Sequence, residues 1–227
     1  MNFSEKTFDF LVENRLQNSR EFFHAHHDEY ERFVLEPMRE LVESLGPEML
    51  RIDPLFITEP KIGRCISRVN RDTRFSADKS LYRENIWFVF ARKKQLYDGY
   101  PCFYADFGPD GCAYGCGYYK ASSDTVAAIR NLIVSDNKMF EAADKALLSC
   151  PDVALYGEKY KKSRFPDCSE RQKEWLDRKN YGVGGFLDDF DLIFSDGLKQ
   201  FLAERFSQLA PVYILFAKAE ELRIAEG

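Results

Sequence analysis

The stretch from Ile86 to Lys120 constrains the fold most, because its pattern fits extended chain and little else. IWFVFA, from Ile86 to Ala91, is a continuous apolar run, the mark of a strand covered on both sides or central in its sheet. CFYADF, Cys102 to Phe107, follows it. Between that run and CAYGCGYYK stands Gly108-Pro109-Asp110-Gly111, where proline presets a turn and glycine relieves it, so the flanking runs are predicted to pair as an antiparallel hairpin. Leu55 to Thr58 and Arg64 to Val69 are shorter strand candidates.

Helical periods lie on either side of this core. Ser4 is placed to cap a helix whose Phe8, Leu11, Val12 and Leu16 share one face. A second helix begins near Ser19 and keeps its apolar period, from Phe22 through Tyr30 and Met38 to Leu45, as far as Gly46-Pro47, a natural stop, with a kink or restart at Pro37. After Ser123 the period is again helical, with Val126, Ile129, Leu132 and Ile133 on one side and a further helix around Met139 to Leu148. Gln172 to Arg178 reads as a short helix, and Ser195 to Glu221 as a long one interrupted at Pro211. YGVGGFLDDF carries no clear period. These elements predict one α+β domain spanning residues 1–227, with a largely antiparallel central sheet and helices from both termini packed on it.

The 227 residues, 45% hydrophobic with 20 Phe and 12 Tyr, supply enough material for a substantial core. No run approaches the roughly 18 apolar residues of a membrane helix, and MNFSEKTFDFL has neither the basic region nor the apolar stretch of a signal peptide, so the expectation is a cytoplasmic protein without membrane contact. Six cysteines, Cys65, Cys102, Cys112, Cys116, Cys150 and Cys168, are accordingly read as reduced thiols.

Charge is distributed unevenly. From Lys61 to Lys94 ten Lys or Arg stand against Asp72, Asp78 and Glu84, a net of +7, which leaves −12 on the rest of a chain whose total is −5. An acidic molecule with one basic segment argues against generic nucleic-acid binding, which draws on many phosphate contacts across a basic surface. Local anion binding fits better. The segment's centre, RVNRDTRFSADKSLY from Arg68 to Tyr82, gathers three arginines, a lysine and two aspartates. Arginine recognises carboxylate or phosphate with two parallel hydrogen bonds, and Lys79 acts as a more mobile point charge. Arg68, Arg71, Arg74, Lys79 and Tyr82 are therefore the candidate ligand-binding residues. Asp72, Phe75 and Asp78 are candidate supports, and Asp72, Lys79 and Tyr82 are the candidates for any catalytic role.

The string Arg68-x-x-Arg71-Asp72-x-Arg74-Phe75, followed by Asp78-Lys79 and Tyr82, resembles the signature of the family known as domain of unknown function 2461, which is similar in length to this chain. The opening FDFLVENRLQNSREFFHAHHDEYERFVLEPMRELV resembles that family's first two helices, and the stretch around Trp175, Lys179 and Ala210-Pro211-Val212-Tyr213 is similar as well. Two positions depart from the pattern: Arg15 replaces the second residue of an Asn pair, and Phe22 replaces a common Trp. The resemblance implies a shared fold and a shared site, and it names no activity.

Other constellations carry less. His24 and His27, three apart on a helix, could share a face and bind a metal with a carboxylate such as Asp28 or Glu31, yet the spacing is not that of a zinc-protease helix and surface histidines are common. Cys112 and Cys116 lie on one side of a strand with Cys102 across the hairpin, but there is no CxxC pair, and small buried cysteines are ordinary core residues. Gly115 to Lys120 lacks the context of a phosphate loop, so close strand packing explains its glycines better. Asp188, Asp189 and Asp191 read as a solvated turn. No metal site and no cofactor is assigned, there is no Gly-x-Ser-x-Gly, and nothing specifies an oligomeric state.

Two classes of function remain. In one, the Arg-rich loop forms a pocket for an anionic small ligand, as a binder or an enzyme. In the other, a noncatalytic interaction module meets an acidic protein or nucleic-acid phosphate, the Arg and Asp residues otherwise forming a structural ion-pair network. Convergence of the cations in a concavity favours the first, a flat stripe the second. Arginines all paired with buried carboxylates would exclude a site.

Overall fold

The computed structural model describes residues 2–74, 76–92, 99–135 and 137–225. Helix α1 (Glu5–Gln17) starts where Ser4 donates its backbone N–H to the Thr7 hydroxyl at 3.1 Å. It ends at Asn18, whose φ of 48° is the left-handed conformation that asparagine tolerates. Phe8 and Leu11 are buried as the period predicts, but Phe10 and Asn14 join them and Leu16 is 73% exposed. The inward face is thus rotated from the one expected.

Helix α2 (Arg20–Ala25) is capped by Ser19, whose hydroxyl accepts from the Phe22 N–H at 3.2 Å, and α3 (His27–Tyr30) passes through a π-turn at Glu31–Leu35 into α4 (Glu36–Ile52). Pro37 sits in the first turn of α4, where its missing N–H costs little. Gly46-Pro47 does not stop the helix as expected. The chain stays helical to Ile52, with Leu45 and Met49 buried on either side of Pro47.

Strand β1 (Ile86–Phe90) lies at one end of the five-stranded sheet rather than at its centre, and Trp87 and Val89 are only partly covered. Leu55 to Thr58 and Arg64 to Val69 do not form strands. The latter instead runs beside β1 through an isolated Ile66–Phe88 bridge, with Ser67 N–H to Trp87 O and Val89 N–H to Cys65 O both at 2.9 Å. Strands β2 (Cys102–Gly108) and β3 (Gly111–Gly117) form the expected hairpin about Pro109-Asp110.

Helices α5 (Ser123–Ser135) and α6 (Asn137–Leu148) follow, and Val126, Ile129, Leu132 and Ile133 are buried as predicted. Next come β4 (Val153–Tyr156), α7 (Glu170–Leu176), β5 (Gly182–Leu187), α8 (Phe190–Ile193) and α9 (Gly197–Ala225). The sheet is antiparallel, in the order β1-β2-β3-β5-β4, and the class is α+β. The Gly115 backbone accepts β5 closely, since a Cβ there would lie 2.1 Å from the Val183 carbonyl oxygen. Helix α9 is not interrupted at Pro211: Leu209, Val212, Tyr213 and Phe216 are buried around it.

By proximity of its residues the chain divides into two compact units, one of Met1–Phe90, Tyr104–Tyr114 and Phe186–Ala203, the other of Ala91–Phe103, Gly115–Gly185 and Glu204–Gly227. The first has its core at Leu11, Val34, Met38, Val42, Phe88 and Phe107, with Phe3 4.6 Å from Phe107. The second centres on Phe103, Trp175, Phe206 and Phe216, with Phe103 5.2 Å from Phe206. No linker signal in the sequence marks this division. No helix among the described residues is long and apolar enough to cross a membrane.

Candidate functional site

The charged loop belongs to the first unit. Its base is an antiparallel bridge between Asn70 and Tyr82, flanked by Arg71 N–H to Leu81 O at 2.8 Å and Arg83 N–H to Val69 O at 2.9 Å. Helix α1 holds the loop from one side: Asn18 accepts the Leu81 N–H on its Oδ1 at 2.6 Å, and Arg15 reaches Asp78 at 2.8 Å. The helix therefore brings a further cation to the loop.

Arg68, Arg71, Asp72 and Arg74 line one open groove of about 580 Å³ together with Asn70, Thr73, Arg83 and Trp87. Arg68 is exposed and has no hydrogen-bond or ion-pair partner among the described residues. Arg71 contacts Asp78 at 3.3 Å and donates to the Ser76 hydroxyl at 3.4 Å, while its buried Nε has no partner among the described residues. Arg74 forms a forked pair with Asp72, Nη2 to Oδ2 at 2.7 Å and Nε to Oδ1 at 3.0 Å. The Arg83 guanidinium stacks over the Trp87 ring, 4.7 Å from its centroid.

The aspartates are committed to this frame. Hydrogen bonds from the Arg74 side chain and backbone hold the Asp72 carboxyl down at about 2. Asp78 is also lowered to about 2, first by the Ser80 hydroxyl and N–H and then by Arg15 and Arg71. Both remain ionised across the ordinary pH range. Asp78 is shared between two guanidinium groups, so its one negative charge faces two positive ones.

Two candidates stand apart from the groove lining. Lys79 donates to the Thr73 carbonyl at 2.8 Å, a neutral acceptor, and pairs with no carboxylate among the described residues. Tyr82 is 2% exposed and stacks on Phe23 at 5.1 Å between centroids, and burial raises its hydroxyl's pKa. Phe75 lies outside the described residues, as do Lys93 and Lys94 of the basic segment. Sequence reasoning missed Asn70, Thr73, Arg83 and Trp87 as lining. The one available signal was the spacing of Arg83 and Trp87, four apart in a segment that is largely extended.

The other constellations resolve into packing. His26 stacks on Phe22 at 4.1 Å and His27 meets the edge of Phe23, and Asp189 caps α8 by accepting the Leu192 N–H at 3.1 Å. Cys102, Cys112 and Cys116 are buried free thiols, and burial pushes Cys102 up to about 12. Among the described residues no three His, Cys, Asp or Glu side chains are grouped to hold a metal ion.

A family model described as "Conserved hypothetical protein (DUF2461)" matches residues 6–214, nearly the whole chain. The chain belongs to the DUF2461 family. No curated protein matches it. The span matched by the DUF2461 model includes every residue lining the groove and stops before the last turns of α9.

Proposed function

We propose that this DUF2461 member binds a small anion bearing phosphate or carboxylate in the groove lined by Arg68, Arg71, Arg74 and Arg83, as a single domain spanning residues 1–227. The observation that carries this reading is the surplus of positive charge. Arg68 has no carboxylate partner among the described residues, and Asp78 is divided between Arg15 and Arg71. Arginine forks suit planar recognition of such anions. The buried Nε of Arg71 has no partner among the described residues, and a buried donor left unpaired costs about 1–3 kcal/mol.

Each remaining residue has a supporting role. Asp72 is tied to Arg74 and kept ionised, which favours an orienting part over that of a base. Lys79, fixed on the loop's own carbonyl, adds to the attractive field. Tyr82 and Phe23 form the packed base on which the loop stands. The Trp87 ring beside the Arg83 guanidinium suits a ligand with a ring or planar group beside its anion. Five buried free cysteines fit a reducing, cytoplasmic setting. The open form of the groove favours one alternative, a noncatalytic module that receives an acidic protein segment or a nucleic-acid phosphate.

A thermal-shift screen of the wild type and Arg71→Ala tests the reading with phosphate, sulfate, nucleotides, sugar phosphates, dicarboxylates and short oligonucleotides. A ligand at a hundred times its Kd stabilises the native state by about 2.7 kcal/mol. The expected result is a raised midpoint with at least one small anion, lost in Arg71→Ala. A response to oligonucleotides alone supports the module, and no response with a much lower midpoint for Arg71→Ala assigns the loop to structure.

A further inference from the structure

In the second unit a pocket of about 440 Å³ has Tyr100, Cys102, Tyr118, Lys120, Ser122 and Arg223 among its lining residues. This volume falls within the range of small-molecule sites, roughly 300–1,000 Å³. We propose that it is a second ligand site, which takes a small molecule with an anionic head, a carboxylate or a phosphate monoester, on an apolar body the size of one ring.

The pocket's polarity is decided by which groups are already engaged. The Tyr118 hydroxyl donates to the Phe216 carbonyl at 2.7 Å. Ser122 shares a hydrogen bond with the Thr125 hydroxyl at 2.8 Å and accepts the Thr125 N–H at 3.0 Å. Burial raises the Cys102 thiol, which makes it an apolar wall rather than a nucleophile. The Arg92 guanidinium covers Tyr100, 4.5 Å from the ring centroid, and is held by Glu221 at 3.6 Å. Lys120 is different: it is exposed and has no partner among the described residues.

Arg223 is the second cation of the lining, and its position is set by a buried carboxylate. Glu220, fully buried at 0% exposure, receives the Arg223 Nε–H at 2.7 Å on one oxygen and the Thr125 hydroxyl on the other. An ionised carboxylate is costly to bury, and these two donors offset that cost. Arg223 itself lines the pocket, and its Nε is committed to Glu220, while its terminal nitrogens have no hydrogen-bond partner among the described residues. Aromatic walls with two cationic groups and no engaged counter-charge at Lys120 fit an anion on an apolar body.

Neither Glu220 nor Arg223 lies in the span matched by the family model, and neither is part of the Arg68 groove. Calorimetric titration of the full chain with phenyl phosphate and with benzoate, and with phenol as the neutral control, tests the assignment. Both anions are compared in the wild type, Lys120→Ala, Arg223→Ala and an Arg68→Ala/Arg71→Ala double variant. Lys120→Ala removes an exposed side chain with no partner, so it stays interpretable even where Arg223→Ala unfolds. The expected result is saturable binding of at least one anion, about tenfold tighter than phenol, about tenfold weaker in Lys120→Ala and retained in the double variant. Anions that bind no better than phenol, binding unchanged in Lys120→Ala, or binding abolished in the double variant would each overturn it.

Discussion

The loop closed by Asn70 and Tyr82 and the carboxylate of Glu220 use the same chemistry, a guanidinium beside an acid, in opposite surroundings. In the loop, the Arg74 and Asp72 side chains are 77% and 56% exposed. At Glu220 the carboxylate is fully buried, whereas the side chain of Arg223 is 32% exposed. Exposed pairs contribute about 0–1 kcal/mol, whereas removing one partner of a buried pair costs about 3–5 kcal/mol, because a charge is left without compensation. Water sets the difference. The loop's exposed pair therefore contributes little to folding, whereas Glu220 serves the fold and fixes one cation in place.

The largest expected effect is at the buried end. Arg223→Ala should lower the unfolding free energy by about 3 kcal/mol, the lower part of the buried-pair range because Arg223 is partly solvated. Urea denaturation of this variant beside Arg74→Ala measures the contrast directly, and equal losses would erase it. Thr125→Val removes the other donor to Glu220 and should cost about 1.5–3 kcal/mol by the same measurement. A cost near zero would mean that Glu220 does not need that hydroxyl.

Acid should weaken the loop in a defined window. Asp72 and Asp78 titrate at about 2 in the folded protein against 3.8 ordinarily, so the unfolded chain binds protons first as pH falls. Their contribution is complete above about pH 5 and is lost as pH falls through 2. The stability difference between wild type and Asp78→Asn should thus shrink between pH 5 and 2, by about the small amount typical of exposed pairs. A difference constant over that range would detach Asp78 from Arg15 and Arg71. Smallest of all, Arg68→Ala should change stability by less than about 0.5 kcal/mol without ligand, since Arg68 has no partner among the described residues. A larger loss in urea denaturation would give Arg68 a structural role.

What the sequence discloses follows from where the determining contacts lie. The β2–β3 hairpin is legible because Pro109 and Gly111 encode its turn locally, and α1 because Ser4 and Thr7 close its first turn. Pro47 and Pro211 mislead, because burial of Met49, Val212 and Phe216 keeps their helices continuous against the local preference. Strand β5 hides in a glycine run whose reason is distant: Gly182 and Gly184 approach Gly117 and Gly115 across the sheet. The site divides in the same way. Arg68, Arg71 and Arg74 declare themselves by density of charge, and the sharing of Asp78 between Arg71 and Arg15, the latter from a helix 63 residues earlier, does not. Tyr82, grouped with the arginines by sequence, packs on Phe23 instead of lining the groove.

The most direct measurement of the central claim is calorimetric titration of the wild type and Arg68→Ala with inorganic phosphate and with succinate. Arg68 serves best because it has no partner among the described residues, so its removal is expected to leave the fold intact and a loss of binding to report on the groove. The expected result is saturable binding of at least one of the two anions, weakened about tenfold in Arg68→Ala and unchanged in Lys120→Ala. Binding of neither anion, or equal binding by wild type and Arg68→Ala, would contradict it.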